Sequence, residues 1–167
     1  MPPMTHPITR LLALSLAFCA LPVAAASPAA PPTAAPNAAG VIRLRSANDF
    51  DQTLARLKSD VAAKDIRFFD QIDQTALGAG ADLKIRRSTL VLFGNPPLGV
   101  QFLQSNPYAG LDWPVRMLVI EEADGSIWVA WTDFGFIAGR YAIGDRTAQF
   151  KMATDVAQSI ATAATSG

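Results

Sequence analysis

Apolar residues recur along the chain with two different periods, and the alternation between them lays out the domain. Val41-Ile42-Arg43-Leu44-Arg45 alternates at every second position and predicts a short strand. Ser46 to Asp49 supply helix-start residues, and Phe50, Leu54, Leu57 and Val61 then follow at spacings of four, three and four. That spacing places them on one face of an amphipathic helix, with Asp51, Arg56, Lys58 and Asp60 on the solvated remainder. Ile66 to Ile72 reads as a strand that alternates poorly, and Asp73-Gln74-Thr75 opens a short Gly/Ala helix over 76–81. The three strongest strands are Thr89–Phe93, Val115–Ile120 and Ile127–Trp131, apolar at successive positions, which predicts a sheet covered on both faces. Glu121 to Ser126 joins the second and third of these, with Asp124-Gly125 as the turn dipeptide, so that pair is antiparallel. Phe134 to Tyr141 reads as a short helix or tight loop. A longer helix over 145–164 carries Phe150, Ala153, Ala157 and Ile160 as its stripe and Asp145 as its cap. Strand, helix, several strands, helix is the order of an α+β domain on an antiparallel sheet.

The first 40 residues break this pattern. Arg10 and His6 precede an apolar run from Leu11 to Val23, and Val23-Ala24-Ala25-Ala26-Ser27 offers small residues for processing. Residues 1–26 are therefore expected to be a cleaved signal peptide and the protein to be periplasmic or secreted. Pro22 ends the run short of the roughly 20 residues of a spanning helix, so no membrane span is expected after cleavage. Residues 27–40 hold Ala, Pro, Thr, Ser, Asn and Gly with no charge and no large apolar side chain, the composition of a disordered linker. A single domain over 41–167 follows.

Composition then removes most chemistry. His6 and Cys19 are the chain's one histidine and one cysteine, and both lie in the expected leader. The mature domain is thus without a disulfide, a thiol nucleophile, an imidazole base or a nitrogen or sulfur ligand for zinc. No cofactor, metal or catalytic residue is assigned. The formal net charge is zero with acids and bases interspersed, which argues against nucleic acid as a partner. Gly78 and Gly80 lack the spacing and the following lysine of a phosphate loop.

Ile72-Asp73, Phe93-Gly94-Asn95-Pro96, Leu111-Asp112-Trp113-Pro114-Val115-Arg116-Met117-Leu118-Val119, Gly125-Ser126-Ile127-Trp128-Val129 and Asp133 together resemble the family called domain of unknown function 302. The resemblance covers about Phe50 to Ile143. It implies a curved antiparallel sheet gripping a C-terminal helix, a TATA-binding-protein-like β-α-β(4)-α arrangement, and brings no established activity. Two motifs depart from the family pattern. Gln74 stands where Ile-Asp-His is usual, and Thr132-Asp133-Phe134 stands where Asn-Asp-Pro is usual. Glutamine neither titrates near neutrality nor binds metal strongly, so a family role for that histidine would not pass to this chain.

The polar residues that remain concentrate between Phe93 and Arg116. Asn95, before Pro96, is expected to set the turn through its side chain. Asp112 and Arg116 flank Pro114, which forbids a regular helix between them, so they are expected to pair as a structural bridge beneath the loop. Trp128 and Trp131 lie an odd number of positions apart and point to opposite faces of their strand. Two readings follow. The first is a non-catalytic envelope module for a small apolar ligand, with Asn95, Asp112 and Arg116 at the mouth, Trp131 on the wall and Asp133 beside it. The second is a homodimer whose second sheet face is covered by another copy. An enzyme resting on carboxylates such as Glu121, Glu122 and Asp133 ranks behind both.

Overall fold

A computed structural model describes residues 35–167. The expected signal peptide, and the linker up to residue 34, lie outside the described residues.

The elements run β1 (Val41–Arg45), α1 (Phe50–Ala63), β2 (Arg67–Asp73), α2 (Gln74–Gly80), β3 (Ser88–Gly94), α3 (Pro96–Ser105), a 3-10 turn (Pro107–Leu111), β4 (Val115–Glu121), β5 (Ile127–Thr132), α4 (Phe134–Arg140) and α5 (Thr147–Thr165). The strands form one curved, unclosed antiparallel sheet in the order β1-β5-β4-β3-β2. This is the expected α+β class and the β-α-β(4)-α order, with short helices inserted between the later strands.

Local signals account for most boundaries. The Asp49 carboxylate accepts from Gln52 N at 2.8 Å and starts α1. Phe50, Leu57 and Val61 are buried, and Thr53 is buried with its hydroxyl bonded to Asp49 O and Ser46 Oγ. Gly125, at φ +77°, closes the β4–β5 turn while Asp124 accepts from Ser126 N and Oγ. The poor alternation of β2 has a structural cause: the register slips between Phe68 and Asp70, and Phe69 is the additional residue. Its ring meets Trp113 edge-on, with centroids 5.6 Å apart.

The helices α1 and α5 lie side by side on one sheet face. Beneath them Met117, Val91, Val119 and Val129 are fully buried, with Ile42 and Trp131 at 4% exposure, and α5 contributes Phe150, Ala157 and Ile160. Each of the Val, Ile, Met and Phe side chains among these contributes about 1.5–3 kcal/mol by leaving water.

Three expectations need correction. The linker is expected to reach Gly40, yet Asn37 accepts from Ala39 N and Val41 N, and Gly40 O accepts from Asp133 N, so the end of that tract is part of the fold. Asp145 does not cap α5; it takes Ser105 Oγ at 2.9 Å and pairs with Arg146, and the helix starts at Thr147. The second sheet face is not covered to the same degree as the first. On it Leu90, Leu92, Leu118, Ile120 and Ala130 are half-buried. Helix α2 meets the start of β3 through Gln74 and Thr75 and buries none of its own residues. Apolar runs report low polarity on both faces; they do not report that a layer exists to cover them.

Candidate functional site

An apolar cavity of about 340 Å³ lies between the end of β3, the start of β4, α3 and the middle of α5. Phe93, Leu98, Phe102, Val115, Phe134, Val156 and Ala157 make much of its wall. Ala153 and Ala157, the small residues of the α5 stripe, leave the space open on the helix side. The exposed lining residues Lys64, Asn95 and Met152 mark its mouth.

The tryptophan on the wall is Trp113. Its indole sits in a slot made by two glycines: a Cβ built on Gly99 would stand 1.8 Å from Trp113 Nε1, and one on Gly94 would stand 3.3 Å away. Phe69 closes the slot edge-on. Asn95 is the residue before α3, but its side chain makes no capping bond, because the helix opens with Pro96 and Pro97 and the first amides, Leu98 N and Gly99 N, bond to Asn95 O. The expected turn-setting role of its side chain is therefore not found, and the exposed amide is left for other partners at the cavity rim. Lys64 reaches the same rim while paired with Asp60 at 2.5 Å.

Asp112 and Arg116 do pair, as expected, but away from this cavity. The Asp112 side chain is 3% exposed and binds Arg116 through Oδ1. Its Oδ2 accepts from Arg140 Nη1 at 2.9 Å and from the Tyr141 hydroxyl at 2.7 Å. Burial pushes the Asp112 carboxyl up, and the Tyr141 and Arg140 hydrogen bonds with the Arg116 and Arg140 charges more than reverse this, leaving it below the usual carboxylate range. The Tyr141 phenol is raised, first because its hydroxyl donates to Asp112 and second through desolvation. Arg116 projects from β4 onto the open sheet face, and Arg140 stands at the same edge.

The expected constellation thus divides. Asn95 lines the apolar cavity; Asp112 and Arg116 belong to a separate charged cluster; Trp131 is core, on the helix-covered face beside Ile42 and Met117. Asp133 accepts from Phe136 N at 2.7 Å and caps α4. Lys64 and Trp113 at the cavity, and Arg140 and Tyr141 at the charged cluster, join the residues expected from sequence. No spacing in the chain links Lys64 to Asn95 and Met152; the packing of α1 and α5 on the sheet, at the β3–α3 junction, puts all three on one cavity. Gln74, at the histidine position of the family pattern, accepts from Ser88 Oγ at 2.6 Å and so joins α2 to β3. Among the described residues no three His, Cys, Asp or Glu side chains converge as a metal site would require.

The domain resembles known proteins in sequence and in fold. A 105-residue stretch is 28% identical to the protein named fluoride-specific ion channel FluC 1 of Brucella suis biovar 1, covering 63% of this chain and 41% of that protein. The same identity and share of this chain link it to fluoride-specific ion channel FluC 2 of Brucella melitensis biotype 1, with 39% of that protein covered. The chain spans about two fifths of the length of these curated relatives, and no helix among its described residues is long and apolar enough to cross a membrane. In fold it is similar to the uncharacterized conserved protein DUF302 from Bacillus stearothermophilus, with a TM-score of 0.69 at 13% identity over 76% of this chain and 99% of that one. The model of the family described as domain of unknown function DUF302 matches residues 42–166, the whole sheet and both long helices. The chain belongs to the DUF302 family.

Proposed function

We propose that the domain is a non-catalytic module of the cell envelope that binds a small apolar molecule in the cavity beneath α5. The observation that carries this is the cavity itself: about 340 Å³, walled by aromatic and aliphatic side chains, with Asn95 and Lys64 as the polar groups at its mouth. Small-molecule sites have volumes of roughly 300–1,000 Å³ and this pattern of many apolar walls with few polar anchors. A tightly packed domain of this size has few voids larger than a water molecule. Keeping this one costs stability that filling it with larger α5 residues would recover.

Retention of the dye 1-anilinonaphthalene-8-sulfonate, and its displacement by decanol or decanoate, tests the reading. One dye per chain is expected, with affinity lowered by more than about tenfold in Ala153→Leu, which fills part of the space. The same variant should melt no earlier than the parent chain. Dye binding that is indifferent to Ala153→Leu would end the proposal. Better displacement by decanoate than by decanol would assign the acid head to Lys64.

The envelope setting rests on the N-terminal run from Leu11 to Val23 and the small residues before Ser27. The Brucella relatives support it from a second direction, since each has a stretch like this one within a protein named as an ion channel. The pore itself is not carried over: the likeness covers part of each of those proteins. N-terminal sequencing of the protein recovered from its native cell should begin at Ser27. An intact Met1 on a form confined to the cytoplasm would refute export.

A further inference from the structure

We infer that the open face of the sheet is a self-association surface closed by a second copy of this chain. The register fixes its pattern. Across neighbouring strands the outward positions form two rows, Thr132–Arg116–Leu92–Asp70 and Ala130–Leu118–Leu90–Ile72, continued on β4 by Ile120. Leu90, Leu92, Leu118 and Ala130 are half-buried and Ile72 is 36% exposed, although no water-seeking group interrupts the second row. Towards β1 the patch ends, because the Arg43 guanidinium lies 4.3 Å from the centroid of the Trp128 ring and covers it. The free apolar surface is therefore centred between β3 and β4 and not on the middle strand.

Charge complementarity chooses another copy as the occupant. The charges at the edge of the patch are self-complementary. Arg116 is 42% exposed on the β4 side, and Asp70 on β2 makes no ion pair among the described residues. A two-fold axis parallel to the strands and passing between β3 and β4 sets Leu118 over the partner's Leu90 and Ala130 over the partner's Ile72. The same axis brings Arg116 beside the partner's Asp70, and the contact occurs twice, as an isologous interface requires. Strand spacings of ~4.8 Å and rises of ~3.4 Å per residue make the patch roughly 300 Å² in projection. That is less than the ~800 Å² per partner of a standard interface, so the dimer is of the weak, transient class.

Sedimentation velocity of the full chain between about 2 and 200 µM tests this. The expected result is a monomer–dimer transition within that range. Leu118→Lys should abolish it, and Asp70→Lys should weaken it by more than about fivefold through charge repulsion with Arg116. Lys151→Gln, on the exposed side of α5 across the sheet from the patch, should leave it unchanged. Circular dichroism establishes that each variant is folded; should Leu118→Lys unfold, Asp70→Lys at the exposed edge carries the test. A monomer throughout the range overturns the inference, and so does association that neither Leu118→Lys nor Asp70→Lys alters, since another surface would then be responsible.

Discussion

Asp112 shows how a single carboxylate can be buried when enough donors surround it. Removing an acid from water costs several kcal/mol, and here two guanidiniums and a phenol offset that cost. The net depression of its pKa sets the direction of the pH effect. The cluster's contribution is complete above the unfolded-state value near 4 and is lost as pH falls through the lower folded-state value. Asp112→Asn should cost about 1–3 kcal/mol at neutral pH and flatten the loss of stability below pH ~4, as measured by urea titrations at several pH values. Tyr141 is displaced the other way, so its contribution holds below pH 10 and is lost as pH rises through its higher folded-state value. In a Tyr108→Phe background, phenolate absorbance should report a midpoint above 10.0 that moves down in Asp112→Asn. A midpoint unmoved by that change would show that the Tyr141–Asp112 bond is not what holds the phenol.

At the scale of the element, the junction of β3 and α3 sets local preference against tertiary fit. Gly99 is helical, and alanine there would gain up to about 1 kcal/mol of helix propensity. Its Cβ would, however, stand 1.8 Å from Trp113 Nε1, and displacing a seated indole costs about 1–3 kcal/mol. The tertiary effect is the larger. Gly99→Ala should therefore lower stability, shift tryptophan emission and weaken dye binding in the cavity together. Unchanged emission with raised stability would mean that the slot does not hold Trp113. Neighbouring elements show how far periodicity reaches. The faces of α1 and α5 were legible from their spacing, because a helix that packs on a sheet must repeat its apolar residues at 3.6. The bulge at Phe69 left only a fault in the alternation of β2, and Asp145, chosen as a cap by its residue type, was drawn away by Ser105 and Arg146.

At the scale of the molecule, the two long helices cover one face of the sheet and leave the other half-exposed. That asymmetry separates the two proposals in space: a small molecule would sit under α5, and a second copy would sit on the opposite face. It also separates their readouts. If the dimer forms, the apparent melting temperature of the parent chain rises with protein concentration, while that of Leu118→Lys does not. Ala153→Leu should act on dye binding and leave the concentration dependence in place. Similarity at 13% identity to a solved DUF302 structure indicates that the arrangement of sheet and helices tolerates wide change in side chains. Function must then be argued from the particular residues at the cavity and on the open face.

The order of the five strands and the two long helices, the buried stripes, the β4–β5 turn and the family were legible in the sequence read alone, whereas α3 lies where the prolines read as a loop. Each is a local pattern or a short-range motif, and the chain's periodicity records such things directly. Tertiary structure alone decided that Trp113 and not Trp131 lines the cavity, that Lys64 and Asn95 share its lining, that Tyr141 and Arg140 complete the Asp112 cluster, and that one sheet face lies open. These are matters of which distant segments meet, and they follow from how α1, α3 and α5 pack on the sheet. Alanine at 153 and 157 reads in the sequence as permission for close approach; only the packed helix shows that part of the space was left empty.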